Sequence, residues 1–465
     1  MIVSGSSTQL GIEANPWDGL RLYALAPRPF TTGGEHSMNV GVQGAAALTL
    51  ACTAFACSTS GSNASQHGES DGGSSSGSSS GSGSSSSSGS SSTSSSSGSG
   101  SSSGSGADGS TGPGEDGGTG SDAAAGSDGG DSGTGVLGPC DIYQSAKTPC
   151  VAAHSMVRAL YGSYKGRLYQ VQRASDSTTQ DISTLGPGGY ADSSAQDTFC
   201  AQTQCTIPII YDQSPQHNDL TPSPPATNLS NGGAAASADS EKITMANNYP
   251  VYGVYQNPGG RNAYRNNNTT GVAKGNEPEA MYMVVDATKF SPGCCYDYGN
   301  AESNGKDDGN GTMEAIYWGT DTFWGGQGQG NGPWIAGDLE NGMFKCDMGF
   351  PQQSLNLATA CPGAAQSIIA KFATLMVKGP ADNTFTLKSA DAQSGTLVVQ
   401  WDGPRPSPSG YSPKNLQGAI ILGTGGDGSN GGEGTFFEGA MTAGDPSDAI
   451  DDMVQANVVA AGYGP

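Results

Sequence analysis

Between residues 58 and about 137 the chain is built almost wholly of Ser, Gly, Asp, Thr and Ala, without a single Lys or Arg. Such a stretch buries too little apolar surface to offset its chain entropy, so a disordered linker is expected rather than part of a core. As a flexible tether of roughly 80 residues it would have a typical reach of about 50 Å. Matches to G-x-S-x-G inside it, such as Gly73 to Gly77, follow from the composition and carry no weight as a serine nucleophile. The tract divides the chain into an N-terminal segment (1–57), the linker (58–137) and a foldable segment (138–465) of about 330 residues, long enough for a sizeable core.

The foldable segment is rich in Gly, Ser, Thr, Asn and aromatics and poor in charge, with short apolar runs between Gly, Pro and Asn punctuation. That pattern reads as mainly β with long loops. A formal net charge of -23 argues against nucleic acid as a partner, because phosphate contacts require clustered Lys and Arg. A neutral polysaccharide fits better. Beyond Cys52 and Cys57, the cysteines fall as Cys140/Cys150, Cys200/Cys205, Cys294/Cys295 and Cys346/Cys361, each pair local in sequence. This reads as the disulfide usage of an exported protein, secreted or cell-surface. A metal site is disfavoured, since no C-x2-C spacing occurs and the four histidines are scattered.

Residues 40–57, VGVQGAAALTLACTAFAC, form a short run of small apolar residues, too brief for a membrane span and suited to a signal-peptide core. A small residue precedes each of Cys52 and Cys57 and a Ser/Gly tract follows. Two readings stay open: a lipoprotein with an outer-membrane lipid anchor at one of these cysteines, or plain secretion.

Strands are expected at 166–176, 205–214, 281–286, 313–319, 333–341, 396–403, 418–427 and 434–441. A helix is expected over Val151–Leu160, and a second in the C-terminal run, with Ser447 or Asp448 as N-cap and Gly462 at the exit. Many short strands with few helices imply an all-β fold, a β-sandwich of jelly-roll or lectin-like type. His154, beside apolar neighbours, reads as a hydrogen-bonded structural residue. Asp212, after a buried strand, reads as a turn residue bonding local backbone.

The stretch from Cys294 to Asn341 concentrates the chemistry. It holds adjacent cysteines in CCYDYGNAE, the aromatic Trp324 and the acidic run PWIAGDLEN (333–341). On a strand, Asp338 and Glu340 would share one face while Ile335 and Leu339 take the other. On the residues alone, Glu340 could equally be a solvated strand residue and Asp427 part of a Gly-rich turn. A calcium loop is disfavoured, because GGDGSNGGEG lacks the D-x-[DN]-x-[DN]-G pattern. Cys294 and Cys295 could each take a distant partner, stay reduced, or pair with one another.

The motifs GPCDIY, TPCVAAHS, AQDTFC, IIYDQS, AYRNN, EPEAMY, CCYDYGNAE, MEAIY, GPWI…EN and AIILGTGGDGSNG run in order from about Gly138 to Tyr463. Together they resemble the catalytic domain of glycoside hydrolase family 54, the fungal-type α-L-arabinofuranosidase B. The resemblance implies a β-sandwich that releases terminal α-L-arabinofuranose with retention of configuration. It puts the nucleophile on Glu340 and the general acid/base on Asp427. Asp338, Asn341 and Gly426 fall on sugar-contacting positions and Trp324 on an aromatic wall. Cys294 and Cys295 fall on a disulfide between sequence neighbours that covers one face of the sugar.

Retaining hydrolysis needs one carboxylate to attack the anomeric carbon and another, roughly 5 to 5.5 Å away, to protonate the leaving oxygen. No cofactor is expected, and the partner would be an arabinose-containing plant polysaccharide or oligosaccharide met by a monomer. The family's usual C-terminal arabinose-binding module has no counterpart before Pro465, so polymer affinity is expected from the pocket or the tether. Cys346 and Cys361 look like an additional pair that reshapes one rim of the cleft. The alternative class is a catalytically inactive carbohydrate-binding surface protein, which would have no need of both Glu340 and Asp427.

Overall fold

A computed structural model of the chain describes residues 10–15, 19–24, 137–348, 363–407 and 409–464. The chain divides into two units, Met1–Gly117 and Gly118–Pro465. In the first, Leu10–Asn15 pairs antiparallel with Gly19–Ala24, strands that the sequence reading did not anticipate. The apolar run 40–57 with Cys52 and Cys57, and the linker as far as residue 136, lie outside the described residues.

The second unit is built from two large antiparallel sheets and one small one. The eight-stranded sheet runs Val398–Pro404, Thr384–Asp391, Phe372–Gly379, Glu279–Asp286, Gly434–Ala443, Tyr249–Gln256, Glu241–Met245, with Cys150–Ser155 also paired to Gly434–Ala443. The seven-stranded sheet runs Met343–Phe344, Trp334–Asp338, Glu314–Gly319, Asp297–Ala301, Ala419–Leu422, Tyr264–Asn266, Thr221–Pro222. Their facing sides share one continuous apolar core, in which the Tyr298 and Phe436 rings lie 5.2 Å apart across the two sheets. The expected β-sandwich is therefore the observed architecture. The other side of the eight-stranded sheet is covered by the helix Asp448–Ala461, whose Asp451 accepts from Lys388 at 2.7 Å. Because both faces of that sheet are covered, Glu279–Asp286 and Phe372–Gly379 are buried almost throughout. This is why they read as unbroken apolar runs instead of alternating ones.

The helix expected over Val151–Leu160 is not formed. Cys150–Ser155 is a buried strand hydrogen-bonded to Gly434–Ala443, so edge pairing to a central strand overrides the helix preference of its alanines. The helix in this region is Pro139–Ser145, tied to that strand by the Cys140–Cys150 disulfide. Closing a loop of this length contributes on the order of 2 to 3 kcal/mol through the unfolded state. Cys200–Cys205 and Cys294–Cys295 are also bonded. The fourth expected pair involves Cys361, which lies outside the described residues.

His154 and Asp212 have the structural roles expected of them. His154 is buried, its Nε2 2.9 Å from the Asn218 carbonyl and its Nδ1 3.1 Å from the Tyr298 hydroxyl. Asp212 accepts from the backbone N–H groups of Ala153, Ser214 and Asn218. The C-terminal helix ends at Gly462 in the left-handed conformation (φ 71°), as its sequence indicates. Among the described residues, no helix is long and apolar enough to cross a membrane.

Candidate active site

The site sits on the outer face of the seven-stranded sheet. Neighbouring strands there are held in register by Asp297↔Tyr317↔Ala336 and Gly299↔Ala315↔Asp338. Side chains alternate across a strand, so Tyr298, Ile316, Ile335 and Leu339 enter the core while Asp297, Ala315, Ala336 and Asp338 face outward. Small residues on that outer face leave a floor on which carboxyl groups can approach one another.

The acidic strand is shorter than expected. It ends at Asp338, and Glu340 and Asn341 adopt left-handed backbone with φ of 63° and 55°. Leu339 donates to the Gly342 carbonyl at 3.1 Å, and Asp338 pairs with Met343. The segment is thus a two-residue hairpin loop with positive φ at both central positions, the geometry of a type I′ turn. The Asn341-Gly342 pair signals a turn in this region but would centre it one residue later than the observed Glu340-Asn341. Glu340 reaches the same cavity as Asp338 through this turn and not through strand parity.

That cavity, of about 140 Å³, is lined by the eight residues that the resemblance puts at the site: Cys294, Cys295, Trp324, Asp338, Glu340, Asn341, Gly426 and Asp427. Cys294 and Cys295 form a disulfide, and Cys295 packs with Tyr317, Ala336 and Met343 beneath the pocket. Trp324 adjoins this apolar patch, its backbone N–H donating to Asp321 Oδ1 at 3.0 Å. Asp427 is fixed by Ser429, whose N–H and hydroxyl donate to its Oδ1 at 2.9 and 2.7 Å, and by Asn228, whose amide donates to Oδ2. Asn341 donates to Asp307 Oδ1 at 3.0 Å.

Several lining and supporting groups were missed from sequence. Asn228 comes from a Pro-rich loop some 200 residues before its partner Asp427, and no local pattern marks it. Asp307 lies in an irregular segment. Glu302 and Asp297 stand inside the CCYDYGNAE motif, yet nothing in the motif says that both side chains join the buried acid cluster.

The electrostatics are those of crowded, buried carboxyls. Burial raises the pKa of Glu340 to about 12, with further upward pressure from Glu302 and Asp338. Burial also raises Asp338, to about 7. Asp297 is held well above the ordinary carboxylate range by burial and then by Asp338, to which it is hydrogen-bonded. The nearby cation is Arg265, itself buried, whose Nη1 donates to the Gly426 carbonyl at 2.6 Å and whose Nη2 donates to the Glu302 carbonyl. These bonds brace the loop carrying Asp427 against the residue that follows the strand Asp297–Ala301. Acids this close cannot all ionise together. Some of them hold protons at neutral pH.

Acidic side chains, Glu340 and Asp427 among them, lining a small cavity with an apolar wall on a β-sandwich give the make-up of a glycoside-hydrolase domain. Residues 139–464 match the sequence profile of "Alpha-L-arabinofuranosidase B, catalytic". The chain belongs to this family, family 54 of the glycoside hydrolases. It is 51% identical over 330 residues to an α-L-arabinofuranosidase B of Aspergillus oryzae, covering 70% of this chain and 62% of that protein. The same identity holds over 331 residues for the Emericella nidulans protein of that name. The fold superposes with a TM-score of 0.66 and 49% identity on an arabinofuranosidase solved with arabinofuranosyl-α-1,2-xylobiose, covering 70% of this chain and 66% of that one. The same figures hold for a family 54 enzyme soaked with a cyclic sulfate inhibitor. The chain thus spans a little under two thirds of the length of the curated relatives it matches.

Proposed function

We propose that the protein is an exo-acting, retaining α-L-arabinofuranosidase that removes terminal arabinofuranose from arabinoxylan or arabinan side chains. The observation carrying this reading is that Glu340 and Asp427, far apart in sequence, line one cavity of about 140 Å³ together with Trp324 and the Cys294–Cys295 bond. A cavity that small suits one terminal sugar better than the middle of a polymer. The disulfide and Trp324 offer apolar surface to a furanose ring, while Asp338 and Asn341 offer groups for its hydroxyls. The ligand in the structure with arabinofuranosyl-α-1,2-xylobiose supports substituted xylan fragments as substrates.

In this reading Glu340 attacks the anomeric carbon as the glycosidic bond breaks, and the leaving oxygen takes the proton of Asp427. Water then gives a proton to Asp427, attacks the same carbon and releases Glu340, so two inversions yield retention. Asn228 and Ser429 hold Asp427 toward the leaving group. The three disulfides among the described residues support an extracellular or cell-surface setting. Residues 1–57 would serve export, 58–137 as linker and 138–465 as the catalytic domain. Membrane fractionation separates plain secretion from an anchor at Cys52 or Cys57.

The test is release of the chromophore from an aryl α-L-arabinofuranoside by the full chain, beside Glu340→Gln and Asp427→Asn. Turnover by the wild type is expected, with a loss of at least about 10³-fold in each variant. Sugar binding without turnover in the folded wild type would instead support the inactive carbohydrate-binding class.

A further inference from the structure

We propose that Glu302 is a positioning residue for this reaction: it shares a single proton with Glu340, orients the attacking carboxylate, and keeps that proton when Glu340 ionises. The proposal rests on the reading of Glu340 as nucleophile.

Glu302 follows the strand Asp297–Ala301 and is 0% exposed. Its Oε1 lies 2.5 Å from the Thr312 hydroxyl, but its Oε2 receives no conventional donor. That second oxygen points toward Glu340. A methyl group built on Gly426 would overlap Glu302 Oε2 and come within 3.0 Å of Glu340 Oε2, so both carboxyls converge over the same glycine. Glu302 Oε2 and Glu340 Oε2 are thus close neighbours across the Gly426 backbone. An ionised carboxylate only accepts, so contact between two carboxyls requires a proton between them.

Among the described residues, Arg265 is the cation beside the pair, set against several acids. Asp338 and Asp427 add negative charge. Arg265 donates to the Gly426 and Glu302 carbonyls and to Asn267 Oδ1, and to neither carboxyl of the pair. Tyr411 donates to the Asn341 carbonyl, and Asp307 is engaged by Asn341. The shared proton is therefore what keeps two buried carboxyls from carrying two charges.

The proton balance closes over the cycle. On attack, Glu340 forms the bond to the anomeric carbon, the glycosidic electron pair leaves with the oxygen, and Asp427 gives that oxygen its proton. Glu302 retains its own proton and donates to the free oxygen of the resulting ester. In the second step water loses a proton to Asp427, the ester C–O bond breaks, and its electron pair returns to Glu340. The Glu302 proton is never consumed. Its function is geometric, fixing an oxygen whose misplacement by about 1 Å would cost roughly 100-fold in rate.

The test uses the full chain with Glu302→Gln, which keeps a donor, and Glu302→Leu, which removes it. Glu302→Leu is expected to lower kcat by about 100-fold with KM changed by less than about threefold. Removing Glu302 also removes its upward pressure on Glu340, so the acidic limb of kcat/KM moves to lower pH. Glu302→Gln should recover most of the rate and shift the limb the same way. Infrared difference spectra at neutral pH provide a readout independent of turnover: one protonated carboxyl present in the wild type is absent from Glu302→Gln. Unchanged kcat and acidic limb in Glu302→Leu, or absence of that carboxyl signal, would overturn the proposal. If Glu302→Leu does not fold, the spectrum and the Glu302→Gln profile decide. A wild type without turnover defeats the functional reading, and the spectrum still decides whether the pair holds a proton.

Discussion

Gly426 shows how finely one residue can set this site. Its φ is not in the left-handed region, so the backbone would accept an alanine there. The space would not, because the new methyl overlaps the Glu302 carboxyl and closes on Glu340. Thr312 on one side and complete burial on the other leave Glu302 no free path out. Gly426→Ala is expected to keep the fold, with Tm lowered by no more than a few degrees. Its kcat/KM should fall by about 100-fold, since the displaced carboxyl is the one against Glu340. Thermal melts beside steady-state kinetics check both halves, and equal loss of fold and rate would contradict the steric account. The resemblance pointed to Gly426 as a sugar-contacting position. Its packing against Glu302 was not legible, because the two lie more than a hundred residues apart and meet only when the Asp297–Ala301 and Ala419–Leu422 strands pair.

At the scale of elements, the hairpin Trp334–Phe344 gives up stability for function. A type I′ turn prefers Asn or Gly at both central positions, and here the first is Glu340. Left-handed backbone on such a residue costs on the order of 1 to 3 kcal/mol, and burying its carboxyl among other acids adds to the cost. Glu340→Asn should therefore abolish turnover while raising Tm by about 2 to 4 °C, read by calorimetry on the full chain. A lower Tm would mean that Glu340 contributes more through its contacts than its backbone costs. Element boundaries are also where the sequence reading failed. The inward and outward faces of Ile335, Asp338 and Leu339 were legible from alternation alone, whereas the turn at Glu340 was hidden by reading the strand too far. Cys150–Ser155 was misread for a different reason: Val-Ala-Ala-His carries no strand signal of its own and takes its form from pairing with Gly434–Ala443. The long buried strands were legible because burial on both faces leaves an unmistakable apolar run.

For the whole molecule, the buried acids set how stability depends on pH. Asp338 is raised to about 7 and Glu279 to about 8, both first by burial, and Asp297 and Glu302 shift the same way. In the unfolded chain these groups ionise near pH 4. Between about pH 4 and 8 the folded state therefore holds protons that the unfolded state has released, and stability falls as pH rises. The opposite group, carboxyls lowered by side-chain hydrogen bonds such as Asp176, Asp197 and Asp382, is largely exposed. Their contribution is screened and is lost only below about pH 4. Buried Lys345, lowered to about 8, favours folding at higher pH only above that value. A formal charge of -23 adds self-repulsion as the remaining acids ionise. The protein should thus be most stable near pH 4 to 5, with Tm falling by at least about 5 °C on going to pH 8. Differential scanning calorimetry across that range at fixed ionic strength measures it directly. A Tm that rises from pH 5 to 8 would show that these carboxyls are ionised in the folded state, and the crowded-acid description of the site would fail with it.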